Sequence, residues 1–326
     1  MNRLLTISLL FAALPLWAKA GTPPFEQREG YVVRRVQVPV SHGESTEAYL
    51  LLPDGEQKGA VLALHDHGAH FTIGKEKLCR PILSEDTTAV ERGMLRDAEE
   101  WVDKVYDGAW IADTLAAHGY VVLVMDAPYW GSRCPADIDW TQSPDSLRLL
   151  NKRLQREQPT FYEQHLEKTS EPWFETMLAD DKAGITYLLR YASNVGVFGF
   201  SFGGYRAWQL AAEDSRVTWC AAANWMTTLA AHGGPTPDAS SWSMYRPRYD
   251  STEYSTIASK MAPRPFLLQY GLGDHLFPVA AVREAIATIE KAYGKQKAFQ
   301  PKAYIAKHKF TRQHREDLLD WLKKQK

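Results

Sequence analysis

The chain has 326 residues, of which 45% are hydrophobic and 24% charged, a globular composition that excludes a disordered or fibrous polypeptide. Thirty-eight basic residues stand against 39 acidic ones; the formal charge is -1, so no broad basic surface for nucleic acid is implied. Eleven Trp, 15 Tyr and 12 Phe favour a well-packed interior with aromatic side chains available to line a ligand surface.

Asn2 and Arg3 precede an apolar run over residues 4–17, and Ala18-Lys19-Ala20 ends it with the small-x-small pattern a signal peptidase accepts, leaving Gly21 as the new N-terminus. The run is shorter than the ~20 residues that span hydrocarbon, so residues 1–20 read as a cleaved export signal rather than a membrane anchor. A periplasmic or secreted location follows, with no stable membrane insertion after cleavage. Disulfides persist in such compartments. Cys79 and Cys134 fall in expected loops and Cys220 in an apolar run, so a Cys79–Cys134 bridge is expected, with Cys220 buried and free.

Residues 31–40 and 46–52 read as an opening pair of β-strands across a Ser-His-Gly-Glu turn. Residues 60–64 form a short continuous apolar run, the mark of a strand covered on both faces. Helical spacing over 105–118, with Gly119 as its stop, leads to a second buried strand at 120–125. Residues 131–174 break the rhythm: they are polar, carry Pro135, Pro144, Pro159 and Pro172, and are helix-like only near 146–158. Alternation returns as helix 176–191, strand 195–200, helix 204–213 and strand 217–223. After a loop at 233–249 come strand 265–270, helix 278–293, strand 300–305 and an amphipathic helix 312–324. Such alternation specifies an α/β fold with a mostly parallel sheet and helices on both faces. The expectation is one domain over residues 21–326 with a lid-like insertion at about 131–174.

Gly199-Phe200-Ser201-Phe202-Gly203 fits Gly-x-Ser-x-Gly, directly after one expected strand and before a helix. That setting forces a serine to the tip of a tight elbow, with glycines where side chains would collide and helix amides pointing at the hydroxyl. A serine needs a base to take its proton and an acid to orient the base. Asp274, in Gly271-Leu272-Gly273-Asp274-His275, follows the strand at 265–270; His308 follows the strand ending near 305. Asp274 could instead cap the helix near Pro278. His308 is preferred over His314, expected at the surface, and over His275, which adjoins the acid in the chain.

His65-Asp66-His67-Gly68-Ala69-His70 follows the strand at 60–64. In a serine hydrolase this turn supplies one oxyanion-binding amide, here from His67 or a neighbour, and Phe202 after the nucleophile supplies the other. The same hexapeptide approaches the His-x-His-x-Asp-His metal turn of metallo-β-lactamase-like hydrolases. Ala69 stands where that pattern has aspartate, and no further ligand cluster follows, so neither a metal nor any cofactor is expected.

Together these segments resemble the α/β-hydrolase superfamily and, within it, the dienelactone hydrolase-like and acetyl-xylan-esterase-like serine esterases. The echoes are His65-Asp66-His67-Gly68 continued by Gly74-Lys75-Glu76-Lys77, and Gly119-Tyr120-Val121-Val122 leading to Asp126-Ala127-Pro128 and Gly131. The resemblance implies an eight-stranded sheet and metal-free hydrolysis of carboxylic esters, with a small-molecule or carbohydrate ester as substrate. Dienelactone hydrolases proper use a cysteine nucleophile, where this chain has Ser201. Trp130, Trp140, Phe161, Tyr162, Trp173 and Phe174 either form an aromatic wall for substrate or pack the insertion locally. Two alternatives stand beside an esterase: a prolyl-oligopeptidase-type peptidase, whose propeller domain would not fit before the first buried strand, and a hydrolase-fold binding protein without activity. The oligomeric state has no signature in the sequence.

Overall fold

The apolar runs Ala60–Leu64 and Val121–Met125 lie side by side as parallel strands, every residue of both buried. They sit inside one sheet of the computed structural model, which describes residues 24–233, 242–249 and 251–325. The export signal at 1–20 and the stretch carrying Pro235 and Pro237 lie outside the described residues.

The strands are β1 Phe25–Arg28, β2 Tyr31–Pro39, β3 Ser45–Pro53, β4 Ala60–Leu64, β5 Val121–Met125, β6 Val195–Phe200, β7 Cys220–Ala223, β8 Phe266–Gly271 and β9 Phe299–Tyr304. Their spatial order is β1-β2-β3-β5-β4-β6-β7-β8-β9. Pairings from β1 to β5 through β2 and β3 are antiparallel, and all later ones parallel. The described sheet thus has nine strands where eight were expected; the extra one is β1, a four-residue strand folded back on β2.

The helices are α1 Ala89–Val105, α2 Ile111–Ala117, α3 Pro144–Thr169, α4 Trp173–Leu188, α5 Phe202–Glu213, α6 Tyr254–Ala258, α7 Val279–Tyr293 and α8 Arg312–Leu322. Alternate residues along each central strand feed two separate cores. Ala60, Leu62 and Leu64 face a cluster with α4, α5 and α7, while Val61 and Ala63 face one with α1, α2 and α8. No helix among the described residues is long and apolar enough to cross a membrane.

Three expectations need correction. Helix α1 was not foreseen, although Thr88 and Glu91 form a reciprocal capping box at its start; the helix expected at 105–118 is only α2. In the insertion, α3 runs through Pro159 to Thr169 instead of ending near 158. Proline cannot donate to the carbonyl four residues back. That carbonyl, on Gln155, accepts from the Gln158 side-chain amide at 3.2 Å, so the helix continues. Finally, all three cysteines are free thiols. Cys79 packs in the α1–α2 core and Cys134 against the other, so the sheet separates the expected partners.

Candidate active site

The turn from β6 into α5 places Ser201 at φ 54°, ψ −126°, a strained conformation for a residue with a side chain. Main chain packs on main chain around it. A Cβ at Gly203 would stand 1.9 Å from the Leu64 carbonyl oxygen, and one at Gly199 would stand 2.0 Å from the Gly203 carbonyl oxygen. The Ser201 amide donates to the Ala223 carbonyl at 2.8 Å, tying the elbow to β7. The hydroxyl does not cap α5. It meets Nε2 of His308 at 2.8 Å.

His308 reaches Ser201 from the loop after β9, and its Nδ1 meets Oδ2 of Asp274 at 2.7 Å. The two loops are joined by their backbones: Leu272 donates to the Tyr304 carbonyl at 2.7 Å and Gly273 to that of Ala306 at 2.9 Å. Asp274 is buried, and its Oδ1 accepts from the Leu276 amide at 2.9 Å, so it holds its own loop rather than capping α7. Asn224, at φ 49° after β7, donates to Asp274 Oδ2 at 3.2 Å and was not anticipated. His275 is exposed and takes no part in the Ser201–His308–Asp274 chain of contacts. His314 is fully buried rather than on the surface: it stacks on Tyr304 at 3.7 Å and bonds the Thr311 hydroxyl at 2.7 Å. Burial pulls its pKa down to about 4.

The turn after β4 adjoins the elbow, because β4 and β6 are neighbours. The His67 ring lies 5.8 Å from that of Phe202, edge to face, so the two residues expected to supply amides are side by side. Gly68 has φ +58°, and a Cβ there would lie 2.1 Å from Trp101, so no other residue fits. The three imidazoles of this turn point to separate partners. His65 is wholly buried, with Nδ1 on the Asp66 carbonyl at 3.0 Å and Nε2 accepting the Ala127 amide at 3.1 Å. Burial, helped by Lys77 and Arg206, lowers its pKa to about 3 and keeps it neutral. His67 Nδ1 accepts from the Ala69 amide at 3.0 Å, and His70 meets Asp97 at 2.8 Å. Among the described residues no group of three or more His, Cys, Asp or Glu is arranged to hold a metal ion.

The insertion reaches the site through Gln158, whose carbonyl oxygen lies 3.4 Å from His67 Nε2. Its aromatic residues serve mainly as packing. Trp130, Trp173 and Phe174 are fully buried, Phe161 packs on Tyr129 and Trp173, and Trp140 lies against the opposite core. Trp130 makes ring contacts with the site residues, stacked on Phe202 at 5.5 Å and edge-on to His67 at 5.0 Å.

Comparison with known proteins fits this geometry. Residues 100–324 match the dienelactone hydrolase family, well over half of the chain. The chain belongs to that family. A protein of Bacillus subtilis (strain 168) named as a hydrolase, YtaP, is 24% identical over 283 residues, covering 84% of this chain and 80% of its own. The structure described as an acetyl xylan esterase from Bacteroides fragilis NCTC 9343 superposes with a TM-score of 0.61 at 17% identity, covering 87% of this chain and 69% of that one. A glucuronoyl esterase from Solibacter usitatus gives 0.57 at 13% identity, covering 93% and 85%. At such identities the structures speak for the fold, which is that of the α/β-hydrolase esterases. Membership of the dienelactone hydrolase family makes this chain a hydrolase.

Proposed function

We propose that this family member is an exported serine esterase. Ser201 Oγ attacks an ester carbonyl while His308 Nε2 takes its proton, with Asp274 holding the imidazole by Nδ1. The backbone amides of Phe202 and His67 receive the oxyanion, a contribution often worth ~3 kcal/mol per donor. The alcohol leaves with the proton from His308, and water, deprotonated by the same imidazole, releases the acid and restores Ser201. Two distances carry this reading: 2.8 Å from Ser201 to His308 and 2.7 Å from His308 to Asp274.

Small carboxylic esters, acetylated carbohydrates among them, are the proposed substrates, in keeping with the acetyl xylan and glucuronoyl esterases that share the fold. The leader-like pattern of residues 1–20 supports a periplasmic or extracellular location, with an exported form that should begin at Gly21. Hydrolysis of p-nitrophenyl acetate and acetylated xylo-oligosaccharides tests the chemistry. Ser201→Ala should fold normally and lose turnover by about 10⁴-fold or more. A fluorophosphonate should label the wild type at Ser201 and leave Ser201→Ala unlabelled; full turnover by that variant would end the proposal.

A further inference from the structure

A cluster of charges lies buried beneath the turn after β4, where Gly74-Lys75-Glu76-Lys77 folds back under it. Lys77 is 0% exposed, an expensive position for a cation unless every proton is matched. Its ammonium donates to the Asp66 carbonyl at 2.8 Å and to the His67 carbonyl at 3.0 Å, with the Asp66 carboxylate at 3.5 Å. That carboxylate is held in turn by the Tyr106 hydroxyl at 2.6 Å and Trp101 Nε1 at 3.2 Å. The backbone of Lys77 is also fixed. Trp110 Nε1 donates to the Glu76 carbonyl at 2.9 Å, and the Ala112 amide of α2 donates to that of Leu78 at 2.8 Å.

A trans peptide is planar, so its carbonyl and its N–H point in opposite directions. The Asp66 carbonyl shares its peptide unit with the His67 amide. Lys77 and the His65 ring both bond that carbonyl, which fixes the direction of the His67 N–H on the other side of the plane. The His67 carbonyl, bonded by Lys77 and by Trp130 Nε1 at 3.3 Å, fixes the Gly68 amide in the same way. A cation on the carbonyl also polarises the amide and makes its N–H a stronger donor.

We infer that Lys77 is a positioning residue for ester hydrolysis: its ammonium, set behind the turn, aims and strengthens the amide that receives the oxyanion. The inference rests on the reading of Ser201 as nucleophile, and it goes beyond it by giving the buried cation a part in transition-state binding. Lys75 has a different part. It bonds Asp126, Glu47 and Glu76 at 2.8, 3.1 and 3.0 Å and ties the 74–77 segment to β3 and to the loop after β5.

The test uses the full mature chain, p-nitrophenyl acetate and a trifluoromethyl ketone, which adds to the serine as a tetrahedral oxyanion. In Lys77→Met, KM should stay within about threefold while kcat and ketone affinity both fall about 10²-fold. Lys77→Arg keeps a cation with several donors and should recover part of both. A purely structural role would not move ketone affinity in step with kcat. Loss of kcat with undiminished ketone affinity, or loss confined to KM, overturns the inference. If Lys77→Met fails to fold, Lys77→Gln carries the test, with about tenfold parallel losses expected and unchanged ketone affinity overturning the inference. An active Ser201→Ala defeats the parent reading; an inactive Ser201→Ala beside a Lys77→Met that behaves as wild type defeats only the role of Lys77.

Discussion

Two glycine-bearing turns meet at the carboxyl ends of the neighbouring strands β4 and β6, and they are held by opposite means. The elbow at Ser201 is a backbone device: Gly199, Gly203 and the Leu64 carbonyl leave no volume for a side chain, and the amide of Ser201 is locked onto β7. The turn at His65–Ala69 is a side-chain device, gripped by Lys77, the Asp66 carboxylate, Tyr106, Trp101 and the neutral His65. A device of sterics is insensitive to charge and pH, and it tolerates no added atom. A device of buried charge, even where Gly68 makes it just as tight sterically, also fails when a partner is removed or protonated.

The largest expected effect attacks the elbow. Gly203→Ala puts a methyl group onto the Leu64 carbonyl and should cost ~4 kcal/mol or more, read as a collapsed urea midpoint or insoluble protein. On the other side, Asp66→Leu leaves Lys77 buried without its counter-charge, for an expected loss of about 3–5 kcal/mol in the same titration. Asp66→Leu combined with Lys77→Met should regain part of that stability and none of the turnover. A double variant as active as the wild type would erase the distinction between the two turns.

Acid should act on the turn after β4 through His65 and on the start of α8 through His314. His65 and His314 hold folded pKa values near 3 and 4 against an ordinary 6.5. Between those values the unfolded chain binds protons that the folded one refuses. Stability is therefore full above pH 6.5 and falls as pH drops through that window, by up to about 1.4 kcal/mol per pH unit for each histidine. Melting curves from pH 7 to 4 should show the slope, and His314→Phe should reduce it. Asn224→Gly keeps the left-handed backbone while removing the amide that bonds Asp274, and should lower kcat about tenfold at unchanged fold. The smallest effect is none: because Cys79 and Cys134 stay thiols, dithiothreitol should leave the melting temperature unchanged, and thiol counting under denaturant should find all three cysteines free.

Much of the site was legible because its rules are local. A continuous apolar strand, then glycine two residues before and after a serine, then a helix, describes a turn whose geometry is nearly complete within ten residues. Asp274 and His308 were legible at one remove, as polar residues in the loops after two later strands, β8 and β9. Lys77 entered only as part of the family echo at 74–77, and its burial shows only once the loop is seen folding under its neighbour. Gln158 was hidden by Pro159, which reads as a helix end; only the bond from that side chain to the Gln155 carbonyl explains why α3 goes on. His314 carried a local signal, since Thr311 stands three residues before it as in a capping box, but burial came from Tyr304 on β9.

The order of polar and apolar residues along this chain determined an α/β sheet, an elbow at Ser201 and the succession of serine, acid and histidine, because periodicity and steric exclusion act over a few residues. Which cysteines could meet, what lies beneath the His65–Ala69 turn and how far α3 extends were decided only by the folded molecule. Those outcomes depend on which side of the sheet a residue occupies and on pairing buried charges from segments remote in the chain, and neither is written in any single stretch.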